Sequence, residues 1–297
     1  MPNRLTRHPA LPRAALFAAA LIWGSSFFMM KRVVAVFPTY YLLAIRFTVA
    51  AVLLAAIFRK RLYRPGRQTL LAGLAVGGTM FTAYAFQTIG LTGTTPGKNA
   101  FLTAIYCVIV PFLYWLIDRR RPDRFNIAAA FLCMLGIGLV SLDGDLSMGW
   151  GDALTLVCGF FFACNIVAVA KFSQKIDLIV LTIFQFAVAA VCCWICAFAF
   201  ERFPAQIPGS VLGELIYLTL FVSTLAYLCQ NFGLKHEEPA AAAIILSLEC
   251  VFGVLFSLIF YGEHLTLRLV IGFTVIFLAV ILSETKLQFL SGQRARR

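Results

Sequence analysis

Two ionisable side chains stand inside long apolar runs, Arg46 within residues 39–58 and Glu249 within residues 240–260. Charge in hydrocarbon is costly, and by default such a residue marks a substrate path, an ion relay or a partner of opposite charge. Glu249 lies nine residues into its run, roughly 13 Å from the start at 1.5 Å per residue, close to mid-membrane. Arg46 lies seven residues into its run and enters from the opposite side, so the two depths differ by only a few ångströms. Two readings follow. Arg46 and Glu249 form a structural ion pair, or Arg46 snorkels toward an interface; alternatively Glu249 binds an ammonium group or a coupling proton while Arg46 orients a carboxylate.

Further polar groups recur at helical spacing. Tyr84 and Gln87 share one helix face at i, i+3, and Tyr227 and Gln230, next to Asn231, repeat the pattern in the second half of the chain. Each pair presents an aromatic wall and an amide to a common cavity, or else the amides hydrogen-bond across helices as structural ties. Tyr106 and Gln185 complete the candidate substrate-binding or coupling set, and Trp23, Asn99 and Asn165 rank behind them. With 29 Phe, 9 Tyr and 4 Trp, most aromatic rings must face lipid or pack between helices. A few beside an anionic Glu249 would suit a protonated amine by cation–π attraction, whereas an Arg46 open to the same cavity would suit a zwitterionic amino acid.

The elements that must hold these residues are membrane helices. Of 297 residues, 61% are hydrophobic and 13% charged, against about 45–50% and about 25% in soluble domains. Apolar runs at 14–34, 39–58, 69–91, 100–117, 125–142, 152–170, 178–200, 211–232, 240–260 and 269–285 predict ten crossings of about 20 residues each. They nearly fill the chain and leave no room for a soluble catalytic, nucleotide-binding or nucleic-acid-binding domain. Gly73-x-x-x-Gly77, followed by Gly78, predicts a close helix approach. Pro111 removes a backbone hydrogen bond inside the fourth run and is a candidate hinge.

The net charge of +12 reads as an orientation label rather than as a nucleic-acid surface. Nineteen lysines and arginines fall on the side of the termini, among them Arg59–Arg61 and Arg119–Arg121, and five on the other side. Both termini are therefore expected in the cytoplasm. The basic N-terminus leads into an apolar run too long for a signal peptide, so it is expected to remain as the first helix. All nine cysteines fall within predicted spans, and Cys193-x-x-Cys196 has no second pair or nearby His to complete a metal site.

Internal similarity divides the chain in two. A shift of 139 lays Trp23-Gly24 over Phe162-Ala163 and Arg46-Phe47 over Gln185-Phe186; a shift of 143 lays Ala83-Tyr84 over Ala226-Tyr227, Gln87 over Gln230 and Pro96 over Pro239. Five spans per half force the second half to insert upside down, the inverted repeat typical of secondary transporters. The predicted fold is an all-α integral membrane protein of ten transmembrane helices in two inverted five-helix repeats, residues 14–142 and 151–287.

The chain resembles the EamA family of the drug/metabolite transporter superfamily. The resemblance rests on Trp23-Gly24-Ser25-Ser26-Phe27, Arg46, the Thr94–Pro111 stretch, Gly151-Asp152, Gln185, Tyr227 with Gln230, Leu248-Glu249 and Gly262-Glu263-His264-Leu265-Thr266. Where the family commonly follows the ninth-helix Glu with Pro, this chain has Cys250. Asp118 and Asp123 are approximate first-half stand-ins for Gly262-Glu263. The resemblance implies a secondary transporter in a bacterial-type inner membrane, with a central cavity, moving amino acids or amphipathic and cationic compounds, often outward. Its partners would be a small-molecule substrate, the bilayer and protons as a candidate coupling ion, with no nucleic acid, the chain being a monomer or homodimer.

Enzyme chemistry finds no footing. Gly93–Asn99 is one residue short of a phosphate-binding loop and ends in Asn. His8, His236 and His264 form no metalloprotease motif, Leu142–Asp145 is no aspartyl-protease motif, and Gly24-Ser25-Ser26 lacks a His base. No cofactor or metal is expected. A channel or sensor built on the same bundle is the alternative to a transporter.

Overall fold

The computed structural model describes residues 10–62, 66–118, 124–141, 148–204, 209–237, 239–262, 264 and 266–285. The Arg119–Arg121 run, the Leu142–Asp145 motif, Asp123, Glu263 and Leu265 lie outside the described residues. The elements among the described residues are helices: α1 (Ala10–Val34), α2 (Thr39–Ile57), α3 (Arg67–Thr92), α4 (Pro96–Thr103), α5 (Tyr106–Asp118), α6 (Arg124–Ser141), α7 (Trp150–Phe172), α8 (Leu178–Phe200), α9 (Gly209–Tyr217), α10 (Ala226–His236), α11 (Pro239–Phe256) and α12 (Leu267–Thr285). In hydrocarbon every backbone polar group must be satisfied within the chain, and a helix does this locally.

Among the described residues, seven segments are long and apolar enough to cross a bilayer: Ala10–Val34, Thr39–Ile57, Arg67–Thr92, Pro96–Ile117, Trp150–Phe172, Leu178–Phe200 and Val211–His236. Ile127–Val140, Ile245–Tyr261 and Leu267–Ala279 are shorter apolar helices. Leu116, Phe131, Met134, Leu135, Ile195, Phe198 and Phe200 are exposed along the outer faces of the bundle, where lipid rather than water is the solvent.

Side-chain caps set several helix ends. Thr95 accepts from the Lys98 N–H at the start of α4, with Pro96 in the first turn. Asp177 accepts from Ile179 and Val180 at the start of α8, at 2.9 and 3.2 Å. The α2 N-terminus takes a distant cap: the Glu201 carboxylate accepts from the backbone N–H groups of Tyr40 and Tyr41 at 2.9 to 3.1 Å. A carboxylate there also complements the helix dipole.

Three expected spans depart from simple α-helices. The predicted 100–117 helix starts at Pro96 and breaks at Ala104 and Ile105, between α4 and α5. The break lies seven residues before Pro111, which sits inside α5. A π-helical stretch, Leu218–Leu225, joins α9 to α10, and a second, Ser257–Tyr261, extends α11 and ends at Gly262 with φ 72°. Gly262 alone has a positive φ among the described residues, the left-handed conformation a glycine adopts without Cβ penalty at a helix end. α11 runs unbroken through Cys250.

The most extensive packing pairs are α6 with α12, α3 with α7, α2 with α8 and α1 with α11. α3 also packs on α8, and there glycine sets the closeness of approach, as the Gly73/Gly77 pattern predicts. A Cβ on Gly77 would lie 2.6 Å from the Val188 Cβ and 2.8 Å from the Gln185 carbonyl oxygen, and one on Gly73 would lie 2.7 Å from the Phe184 Cβ. Gly78 faces open space. Gly77→Val should therefore cost about 1–3 kcal/mol by overpacking and lower the melting temperature of the purified protein, with Gly78→Ala close to wild type. Equal melting temperatures for the two variants would refute this account of the α3–α8 contact.

Candidate functional site

Arg46 is fully buried, 0% exposed, on α2. Its Nε donates to the Ser223 hydroxyl at 3.1 Å and its Nη1 to the Met30 thioether at 3.0 Å, while Nη2 has no partner. The guanidinium carbon lies 5.6 Å from the Tyr84 ring centroid and 6.0 Å from that of Phe47. Aromatic faces attract a cation but do not neutralise it.

Glu249 on α11 is 4% exposed. Its carboxylate has the Tyr106 hydroxyl as its polar neighbour. The four ion pairs among the described residues, Arg13–Glu237, Arg61–Asp177, Arg32–Glu214 and Lys98–Asp152, all lie toward the helix ends. Arg46 and Glu249 line one cavity yet form no ion pair with each other, so each charge is left without a charged partner.

The cavity lies between α1, α2, α3, α4, α5, α7, α10 and α11. Its apolar walls are Trp23, Phe27, Tyr84, Phe162, Ile166 and Leu246. Besides Arg46 Nη2, four buried polar atoms on residues lining it have no hydrogen-bond partner: Thr88 Oγ1, Asn99 Oδ1, Tyr106 Oη and Gln230 Oε1. Buried polar groups are normally paired, so such a concentration is unusual. The orientation of Asn99 is fixed, because its Nδ2 donates to the Thr155 hydroxyl at 2.8 Å and to the Gln87 carbonyl at 3.3 Å. Its oxygen is thus a spare acceptor.

Six of the nine residues singled out in the sequence line this cavity: Arg46, Tyr84, Gln87, Tyr106, Gln230 and Glu249. The remaining three, Gln185, Tyr227 and Asn231, sit elsewhere. Asn231 donates to Thr182 at 2.9 Å and to Gln185 at 3.1 Å, tying α10 to α8. Tyr227 lies behind the wall, its ring 5.1 Å from Trp23, 5.4 Å from Phe186 and 6.1 Å from Tyr84. Of the three residues ranked behind these nine, Trp23 and Asn99 line the cavity, whereas Asn165 donates to the Val76 carbonyl and to Thr79, joining α7 to α3. Sequence reasoning passed over Met30, Thr88 and Ser223. A hydroxyl or thioether in an apolar helix carries no signal of its own; the contacts of Arg46 expose Met30 and Ser223, and the lining of the cavity exposes Thr88.

One end of the bundle is tightly tied. Lys31 donates to the carbonyls of Leu91, Thr92 and Thr94 at 2.7, 3.1 and 2.8 Å, which satisfies the C-terminal end of α3. Asp152 takes the Thr94 hydroxyl and pairs with Lys98 at 3.5 Å. Arg32 donates to the Phe260 carbonyl at 2.6 Å and lies 3.4 Å from Glu214. The other end, where Arg13 meets Glu237 and Arg61 meets Asp177, holds a vestibule lined by Tyr114, Val167, Lys171, Gln174 and Leu234. Ala170 and Leu234 in the vestibule lie one helical turn, about 6 Å, from Ile166 and Gln230 of the cavity.

Apolar helices around a buried cavity that holds unpaired charges and spare hydrogen-bonding atoms define a multi-pass membrane protein of the transporter class. The EamA-like transporter family model matches residues 13–142 and 149–285, and the chain belongs to that family. It is 29% identical over 268 residues to an uncharacterized transporter of Archaeoglobus fulgidus, covering 90% of this chain and 83% of that protein. It is 26% identical over 283 residues to the uncharacterized inner membrane transporter YedA of Escherichia coli K12, covering 90% and 89%. A solved crystal structure shares the fold with a TM-score of 0.72 at 16% identity, over 95% of this chain and all of that one.

Proposed function

We propose that this chain is a secondary transporter that exports a small zwitterionic metabolite of the amino-acid class. The observation that carries this reading is the pair of uncompensated charges on one cavity, the Arg46 guanidinium with a free Nη2 and the Glu249 carboxylate. A bare organic cation would meet Glu249 but would be repelled by Arg46. A zwitterion gives each charge a partner, its carboxylate to Arg46 and its ammonium group to Glu249 with the Asn99 and Gln230 oxygens as acceptors. The apolar walls favour an uncharged side chain.

Two inverted five-helix halves, residues 14–142 and 151–287, would rock around this cavity in ten crossings. Support comes from the two separate stretches of family match and from helix pairing that joins α1, α2, α3 and α6 of the first half to α11, α8, α7 and α12 of the second. The basic end would face the cytoplasm, with the vestibule as entry, and the Lys31, Arg32 and Asp152 ties would close the outer face. The name of the YedA relative supports an inner-membrane location. Transport would draw on the substrate gradient or on protons, with the chain acting as monomer or homodimer.

Uptake into proteoliposomes tests this, using L-leucine, L-phenylalanine and L-alanine beside their decarboxylated amines, with and without a pH gradient. Saturable transport of the amino acids over the amines is expected. Preference for the amines, or a flux that never saturates, would overturn the assignment, the second result in favour of a channel.

A further inference from the structure

The π-helical stretch between α9 and α10 sits beside Arg46, and its geometry bears on how that guanidinium is aimed. The Ser223 hydroxyl donates to the Leu218 carbonyl five residues back, at 3.0 Å, and Thr224 does the same to Thr219, also at 3.0 Å. A hydroxyl has one proton. With that proton committed to Leu218, the Ser223 oxygen faces Arg46 Nε as an acceptor only. The Val222 carbonyl accepts from the Trp23 indole at 3.1 Å, so two neighbouring residues of the stretch each hold a cavity side chain.

The register matters because a π-turn takes up an extra residue. In an uninterrupted α-helix, removing that residue would turn Ser223 by about 100° relative to Tyr227 and Gln230. The hydroxyl would then no longer meet α2 while Gln230 faced the cavity. Single π-turns inside α-helices occur often at functional sites.

We infer that Ser223 is a positioning residue that fixes the Arg46 guanidinium and leaves Nη2 as the donor for a substrate carboxylate. Met30 on α1 holds Nη1 through its thioether. Ser223 does not touch substrate; it acts through Arg46. The inference rests on the carboxylate-binding role given to Arg46 above.

Uptake of L-leucine, L-phenylalanine and L-alanine by purified protein in proteoliposomes tests it. Ser223→Ala should raise KM about tenfold with Vmax within twofold of wild type, and Ser223→Thr, which keeps a hydroxyl, should restore KM. In an Arg46→Met background the Ser223→Ala change should add less than twofold. A purely structural Ser223 would instead depress Vmax and thermal stability in both backgrounds and would overturn the proposal. If Arg46→Met loses affinity while Ser223→Ala keeps it, the positioning role fails and the carboxylate reading stands. If wild-type protein takes up none of the three amino acids, or Arg46→Met leaves KM unchanged, the carboxylate reading fails and the positioning role falls with it.

Discussion

Arg46→Met is expected to abolish useful affinity for an amino-acid substrate while leaving the protein at least as heat-stable as wild type. Loss and gain have separate physical origins. A charge-assisted contact to a carboxylate contributes about 1.5–3 kcal/mol, and in a water-poor cavity the upper end applies, equivalent to a rise in KM of about 100-fold. Stability moves the other way because Arg46 is buried with no acidic partner. Removing one member of a buried ion pair strands the other, whereas here no carboxylate is stranded, and an apolar chain of similar length replaces a desolvated charge. A thermal-shift measurement beside the uptake assay reads both effects. Wild-type KM in Arg46→Met would remove Arg46 from the site; a large drop in melting temperature would make it a structural residue.

Glu249→Gln carries the second large effect. Gln keeps the shape of the side chain beside the Tyr106 hydroxyl, but it holds neither negative charge nor an exchangeable acid proton. Losing the ammonium partner should lower kcat/KM about 30-fold, again within the range for a charged hydrogen bond. The coupling outcome is separate. If Glu249 carries the proton, an inward-directed proton gradient accelerates substrate efflux in wild type and has no effect in Glu249→Gln. Unchanged rate together with unchanged gradient response in the variant would end the case for Glu249 in either role.

The site was legible in the sequence to a definable extent. Arg46 and Glu249 stood out because an ionised group in an apolar run is conspicuous wherever its helix points. Tyr84, Gln87 and Gln230 could be placed by helical phase, since i, i+3 neighbours share a face. Phase did not separate Gln230 from Asn231, adjacent residues of which one lines the cavity and the other binds Thr182 and Gln185 on α8. That distinction depends on which helix lies on each side of α10. Gly73 and Gly77 marked a close contact from sequence alone, but nothing local said that the partner would be α8. The fourth run read as one helix because its apolar composition is continuous, whereas the break at Ala104 and Ile105 has no strong local signal.

By itself the sequence determined that this chain lives in a bilayer, with two charges at similar depth and two stretches of related pattern. Those are sums and periods over residues, governed by the cost of placing each side chain in hydrocarbon. The tertiary structure alone decided that Arg46 and Glu249 line one cavity without forming an ion pair. It alone set the π-register that brings Ser223 to Arg46 and gathered the spare atoms of Thr88, Asn99 and Gln230 in one place. These depend on helix rotation and on neighbours distant in the chain, which a one-dimensional pattern does not encode.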